Sequence, residues 1–209
     1  VIGGLIGTIA DRDDLVIATK AGVSFPDGTR TVNNSRHHLI SELDKSLARL
    51  GSDYVDLWQV HTWDSNVALD DTLSALDYAY TSGKARYVGV SNFNGWQSSR
   101  AITLQGSNTA KAPIATIQSE YSLLNRSIED EVLDCAQSLG VGLLAWSPLG
   151  RGVLTGKYRQ SIPADSRGAT PHFANFIAPY LSENSARIVE AVAAAAAGSV
   201  SYTHLTLPT

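Results

Sequence analysis

The chain has 209 residues, of which 44% are hydrophobic and 17% are charged, so it is long and apolar enough to bury a core. Its net charge of −4 offers no basic surface of the kind that binds nucleic acid or anionic membranes. No apolar run reaches the roughly 18 residues that cross a bilayer. Its single cysteine, Cys135, cannot form an intrachain disulfide, which favours a reducing compartment. We therefore expect a cytoplasmic globular protein that binds neither nucleic acid nor membranes.

Five short apolar runs, rich in β-branched and aromatic residues, predict strands that are buried on both faces. Helical patterns with N-terminal and C-terminal signals lie between these runs. The strand runs are 15–19, 54–60, 86–90, 114–118 and 141–146, and the helical patterns are 35–51, 69–84, 127–140 and 185–198. Strands that alternate with helices predict a parallel sheet, either doubly wound or closed into a barrel.

Two further observations bear on which parallel sheet this is. No G-x-G-x-x-G motif follows any of the strands, which weighs against a doubly wound dinucleotide-binding fold. A complete (β/α)8 barrel needs about 250 residues. The sequence therefore predicts an α/β fold that is a partial TIM barrel.

Both ends of the chain read as something other than native termini. No methionine occurs anywhere, so we expect an internal fragment of a longer gene. The final residues continue no pattern and resemble the translation of a sequencing adapter. We assign the incomplete barrel to residues 1–198 and predict a non-native tail at 199–209.

A polar residue closes each predicted strand. These residues are Lys20, His61, Ser91 with Asn92, Gln118, and Ser147. The carboxyl ends of parallel strands meet at one edge, where barrel active sites are built. Each residue alone has an ordinary structural explanation as a solvated charge, a core histidine or a turn residue. Together they predict a site in which a buried lysine lowers the pKa of a neighbouring donor and a neutral imidazole donates a hydrogen bond to a carbonyl oxygen.

The sequence predicts no metal site. The adjacent His37 and His38 lie in the first turn of a helix, where their side chains diverge by about 100°. No HxH or HExxH pattern occurs.

The loop AWSPLGRGVLTGKYRQSIPADSR (145–167) has a composition that suits contacts with phosphates. It is rich in glycine and carries three cations, Arg151, Lys157 and Arg167. Trp146, at the end of the last predicted strand, offers a flat face for a ring to stack on.

The motifs IATKAG, DLWQVH, ARYVGVSNF, IQSEYSLLNR and AWSPLGRGVLTGKY occur in this order. Together they resemble the aldo-keto reductases, in particular the branch with potassium-channel β subunits and bacterial stress-type reductases. The resemblance covers residues 1–198 and implies strands three to seven of an eight-stranded barrel that binds NADPH.

The resemblance also implies roles for individual residues. Lys20 and His61 match the family's active-site lysine and histidine, and Trp63 matches a position that borders the substrate. Ser91, Asn92 and Gln118 match residues that hold the nicotinamide carboxamide, and Trp146 matches the aromatic residue that stacks on the nicotinamide. Six loop residues match the segment that wraps the cofactor's pyrophosphate: Ser147, Leu149, Gly150, Arg151, Lys157 and Arg167.

Some parts of the family's machinery have no counterpart in this sequence. The aspartate and the proton-donating tyrosine, and the segment that grips the adenosine 2′-phosphate, are not found. We therefore expect the parent protein to reduce small carbonyl compounds with NADPH and this chain alone to be inactive and prone to aggregate. Two alternatives stay open: an NADPH-binding regulatory subunit with little turnover, and a Schiff-base aldolase that uses Lys20. The sequence assigns no oligomeric state.

Overall fold

Strands and helices alternate along the chain in the computed structural model, which describes residues 2–198. The tail predicted for 199–209 lies outside the described residues. The strands are β1 (Ala18–Ala21), β2 (Val23–Ser24), β3 (Thr31–Val32), β4 (Val55–Val60), β5 (Ala85–Ser91), β6 (Ile114–Glu120) and β7 (Gly142–Trp146). The α-helices are α1 (Arg36–Leu50), α2 (Leu69–Thr81), α3 (Gly95–Gly106), α4 (Val132–Ser138), α5 (Pro171–Ile177) and α6 (Glu183–Gly198).

Five of the strands form one sheet in the order β1-β4-β5-β6-β7. The pairs β1–β4, β4–β5 and β5–β6 run parallel, and helices connect β4 to β5, β5 to β6 and β6 to β7. The two remaining strands, β2 and β3, form a short antiparallel hairpin directly after β1. All five predicted strand runs are therefore present, and the alternation predicted from the sequence is confirmed.

Apolar spacing explains how α1 and α2 bury one face. Leu39, Leu43 and Leu47, at the predicted intervals of four, are all buried in the core. In α2, Leu76 is fully buried, whereas Tyr80, about one turn later, is 40% exposed. The buried face of α2 therefore does not extend to Tyr80.

The first strand and the helix predicted for 127–140 have boundaries that differ from the prediction. The first strand was expected from position 15 but begins at Ala18, and the N–H of Ile17 donates to Asp56 Oδ2 at 2.8 Å. The predicted helix 127–140 is divided into a 3-10 turn (Ser127–Glu129) and α4, and Glu131 between them accepts a hydrogen bond from Gly95 N at 3.1 Å. The hairpin β2–β3 and the helices α3 and α5 are additions to the sequence interpretation.

The described residues divide into two compact units. The first contains residues 2–119 and 129–144, and the second contains residues 120–128 and 145–198. In the second unit a small core gathers Val153, Leu154, Ile177, Tyr180 and Val189. The assignment of residues 1–198 to a single barrel domain stays a prediction.

Within residues 2–198, none of the helices has the length and apolar character required to traverse a bilayer. The same part of the chain contains no group of three or more metal-ligating side chains placed to share an ion.

Candidate active site

Lys20 and His61 lie on one face of the sheet at its carboxyl edge. Lys20 on β1 is in register with Gln59 on β4. Because side chains alternate along a strand, His61, two residues after Gln59, points to the same face as Lys20. The backbone N–H of His61 donates to Ala21 O at 2.9 Å, which holds the end of β4 against the end of β1.

The next two strands add amide and hydroxyl groups to this edge. Ser91 on β5 is in register with Gln118 on β6. Asn92 connects three strand ends, since its N–H donates to Gln118 O at 2.8 Å and its side-chain Nδ2 donates to His61 O at 2.9 Å. The same Nδ2 also lies 3.1 Å from Ser91 Oγ. The five residues predicted to close these strands are therefore neighbours.

Burial and nearby charge set the protonation of the site. Burial lowers the pKa of half-buried His61, and the charges of Lys20 and then Arg30 lower it further. Burial also lowers the pKa of Lys20 below the ordinary value for lysine. His61 is consequently neutral at pH 7, so that it can donate a hydrogen bond to an uncharged oxygen.

A tightly packed row lies directly beneath these groups. One residue from each of four neighbouring strands forms this row. In order they are Lys20, Gln59, Gly89 on β5 and Thr116 on β6. The fully buried Gln59 reaches across β5 to donate from Nε2 to Thr116 Oγ1 at 3.2 Å. A Cβ on Gly89 would lie 2.2 Å from that Oγ1, so only glycine leaves room for the contact. Gln59, Gly89 and Thr116 thus form a closely packed layer, which we call the floor of the site.

Trp63 belongs to an aromatic cluster on the loop after β4. Its ring meets Phe93 edge-on at 5.2 Å between centroids and Trp96 at 5.3 Å. Phe93 is 3% exposed and anchors the cluster, whereas Trp96 is 53% exposed. The sequence interpretation gave no role to Phe93, the last residue of the ARYVGVSNF motif, or to Trp96 three residues later.

In the second unit, Trp146 at the end of β7 stacks on another ring. Its plane lies 15° from that of Phe176, with centroids 6.5 Å apart. The backbone O of Trp146 accepts a hydrogen bond from Tyr121 N at 3.3 Å. The aromatic face that the sequence predicts as a stacking surface thus has Phe176 of α5 as its neighbour in this structure.

Arg151 is held by contacts within the second unit. Its Nε and Nη2 bind the two carboxylate oxygens of Glu120 at 2.7 and 2.6 Å. Its guanidinium lies 3.8 Å from the ring centroid of Phe176 and 4.7 Å from that of Tyr180. The arginine therefore secures the loop after β7, and its predicted contact with a cofactor phosphate stays a prediction.

Backbone strain is concentrated at predicted cofactor-binding positions. Among the described residues, four non-glycine residues have positive φ, and three of them are Asn92, Ser147 and Arg151. Gly150, between the last two, also has positive φ, and a Cβ there would lie 2.7 Å from Leu124 Cδ1. Each such conformation costs about 1–3 kcal/mol, and strain of this size is typical of binding sites.

The remaining predicted loop residues are more open. Lys157 Nζ lies 5.2 Å from the ring centroid of Tyr158, and exposed Arg167 lies 5.5 Å from that of Phe173. Within residues 2–198 neither cation is paired with a carboxylate. Half-buried Leu149 shapes the loop through its backbone O, which accepts from Gly152 N at 3.0 Å.

A family model described as "Aldo/keto reductase family" matches residues 2–208 of this chain. The chain belongs to the aldo-keto reductase family. It is 42% identical to the L-glyceraldehyde 3-phosphate reductase of Escherichia coli K12 over 159 residues, which are 76% of this chain and 45% of that protein. It is 32% identical to the aldo-keto reductase YhdN of Bacillus subtilis over 183 residues, 88% of this chain and 53% of that protein.

The predicted branch of the family is confirmed by a third relative. A rice protein described as "Probable voltage-gated potassium channel subunit beta" is 36% identical over 180 residues, 85% of this chain and 54% of that protein. The chain thus spans about half the length of the curated relatives that it matches.

Solved structures agree with the family assignment. The glycerol dehydrogenase AKR11B4 from Gluconobacter oxydans aligns with a TM-score of 0.76 at 26% identity, covering 97% of this chain and 60% of that one. The aldo-keto reductase AKR11C1 from Bacillus halodurans aligns with a TM-score of 0.61 at 26% identity, covering 79% of this chain and 52% of that one. The predicted α/β class and partial TIM barrel are confirmed.

Proposed function

We propose that the protein containing this chain reduces aldehydes or ketones to alcohols, with NADPH as the hydride source, in the cytoplasm. The observation that carries the proposal is the placement of Lys20 and His61 on one face at the carboxyl edge of the sheet. The lowered pKa of His61 keeps its imidazole neutral, which suits a hydrogen-bond donor to a carbonyl oxygen.

The residues at this edge fit a nicotinamide ring with its carboxamide. Ser91, Asn92 and Gln118 provide hydroxyl and amide groups that both donate and accept hydrogen bonds, as a carboxamide requires. Their backbones are joined by hydrogen bonds, so these groups are held in place before any ligand arrives. We assign the loop residues Ser147, Leu149, Gly150, Arg151, Lys157 and Arg167 to the cofactor's phosphates and Trp146 to a stacking contact.

Chemically, the bound cofactor supplies a hydride to the carbonyl carbon, and a proton must reach the carbonyl oxygen. His61 orients that oxygen by donating a hydrogen bond to it, and Trp63 borders the substrate. The positive charge of Lys20 lowers the pKa of a nearby acid and so eases proton delivery. In the family that acid is a tyrosine without a counterpart in these 209 residues, so we propose that this chain alone is inactive.

The charge around His61 suggests which carbonyl compounds to test first. The charges of Lys20 and Arg30 both lower the pKa of His61, so two cations lie near the imidazole. A relative of this chain is named L-glyceraldehyde 3-phosphate reductase. We therefore propose small aldehydes that carry an anionic group as the first substrates.

A second candidate function is a regulatory subunit that binds NADPH and turns over little. It is favoured by the similarity to the rice protein described as a channel subunit. Both functions require cofactor binding, and only the reductase requires rapid turnover.

The test measures binding and turnover separately in the full-length gene product. NADPH binding is followed by cofactor fluorescence, and oxidation of NADPH by glyceraldehyde 3-phosphate is followed by absorbance. Gln118→Ala should weaken binding at least about tenfold, a loss of ~1.4 kcal/mol that is typical of a buried hydrogen bond. Exposed Gln137→Ala is the matched control.

His61→Gln should leave binding intact and lower kcat by about 100-fold or more. Binding without turnover of any aldehyde would select the regulatory function. Absence of NADPH binding would reject both functions.

A further inference from the structure

Asn34, between the hairpin and α1, is a buried amide that contacts the loops after both candidate catalytic strands. It is 1% exposed, so each of its polar atoms needs a partner inside the protein. Its Nδ2 donates to Thr62 O at 2.7 Å, directly beyond His61. Its Oδ1, by contrast, has no hydrogen-bond partner among the described residues and lies close to Gly22, directly beyond β1, where an added Cβ would lie 2.2 Å from it.

The backbone of Asn34 is held on both sides. Its N–H donates to Asp64 Oδ2 at 3.0 Å, and its carbonyl oxygen accepts from Thr72 Oγ1 at 3.1 Å. Asp64 and Thr72 are 7% and 4% exposed. The other oxygen of Asp64 accepts from Asn66 N at 2.9 Å, which closes the loop after His61 onto itself. These bonds fix residues 62–66 relative to α2 and to the hairpin.

These bonds help to fix the position of the backbone on either side of His61. The imidazole follows β4, whose register fixes His61 on its N-terminal side through the bond to Ala21 O. On its C-terminal side, the carbonyl oxygen of His61 accepts from Asn92 Nδ2 at 2.9 Å, and the next residue, Thr62, is held by the bond from Asn34 Nδ2 to its carbonyl oxygen. Without the bond from Asn34 Nδ2, we expect the loop to loosen at Thr62 and the half-buried ring of His61 to become more hydrated. The groups that act on His61 are Lys20 on β1 and Arg30 on the hairpin.

We propose that Asn34 is a positioning residue for His61, because it clamps the loop that follows His61 to the segment that follows Lys20. The proposal rests on the proposed role of His61 as the carbonyl-orienting group. Nothing in the family motifs that identify this chain includes position 34.

The experiment measures the pKa of His61 by NMR titration of histidine Cε1–H signals in the full-length gene product. The His61 signal is assigned by its loss in His61→Gln. We expect a wild-type pKa below the ordinary value for histidine and, in Asn34→Ala, a pKa that moves up towards that ordinary value as the ring becomes hydrated. Thr72→Val, which keeps the shape of the side chain, should move the pKa in the same direction by less.

Gln105→Ala is the matched control. Gln105 is also a buried amide, 1% exposed, and its Nε2 donates to the backbone O of Ala112 at 3.1 Å. It lies on α3 without contact to the His61 loop, so its loss should reduce stability and leave the His61 pKa unchanged.

An unchanged His61 pKa in both Asn34→Ala and Thr72→Val would overturn the proposal. So would an equal shift in Gln105→Ala. If Asn34→Ala does not fold, Thr72→Val decides. Because the titration needs neither cofactor nor turnover, a missing reductase activity would reject the proposed function without touching this result.

Discussion

The substitution Gly89→Ala tests whether the close packing of β5 against β6 beneath the candidate site stabilises the protein. The new Cβ would lie 2.2 Å from Thr116 Oγ1 and 2.7 Å from Thr116 O. Carbon and oxygen normally approach to about 3.3–3.6 Å, so β5 and β6 must separate by about 1 Å. Gln59 would then lose its 3.2 Å hydrogen bond to Thr116.

The cost can be worked out from these two effects. Overpacking a well-packed interior costs about 1–3 kcal/mol. Loss of the hydrogen bond adds about 0.5–1.5 kcal/mol. The free energy of unfolding should therefore fall by about 2–4 kcal/mol.

The assay is urea and thermal unfolding of the full-length gene product, with Gly142→Ala as the matched control. Gly142 is also a strand glycine, but its nearest atoms to a new Cβ are Ala115 O at 3.5 Å and Thr116 Cγ2 at 4.0 Å, which are ordinary contacts. Gly142→Ala should change stability by less than about 1 kcal/mol. The double variant Gly89→Ala with Thr116→Ala should recover only part of the loss, because the backbone contact remains. The reasoning is refuted if Gly89→Ala is as stable as Gly142→Ala.

Two further predictions follow from charged groups. Since the folded pKa of His61 is lowered, the free energy of unfolding should fall as pH drops through about 6.5, where the unfolded imidazole gains a proton that the folded one resists. Urea midpoints from about pH 5 to 8 should show this slope, and His61→Gln should flatten it; equal slopes would contradict the assignment. Arg151→Ala should lower stability by about 3–5 kcal/mol, because Glu120, 11% exposed, is left without its cation. Exposed Arg159→Ala should lower stability much less in the same unfolding assay, and equal losses in the two variants would count against the difference in burial.

Much of the candidate site could be predicted because the carboxyl ends of parallel strands lie together at one edge of the sheet. The end of each apolar run specifies which side chain stands at the carboxyl edge, so Lys20, His61 and Gln118 could be placed together without coordinates. The residues that support the site, Asn34 and Glu120, could not be predicted in this way. Asn34 sits in a polar stretch that reads as an ordinary loop, and Glu120 reads only as the end of a strand.

The sequence by itself determined the elements whose cause is local. Apolar runs with β-branched residues specify the strands, and leucines at intervals of four specify the buried face of α1, because both patterns depend only on neighbours along the chain. The family motifs likewise lie in contiguous text, so they could be identified before any fold was known.

Tertiary structure decided what depends on partners distant in sequence. Asn34 binds Thr62, Glu131 binds the N–H of Gly95, and Arg151 binds Glu120. In each pair the two residues are at least 28 positions apart, and a hydrogen bond forms only where folding brings donor and acceptor to about 3 Å. No periodic pattern in the sequence predicts which distant residues come within hydrogen-bonding distance. The side chains that hold the site in place could therefore be identified only in the folded structure.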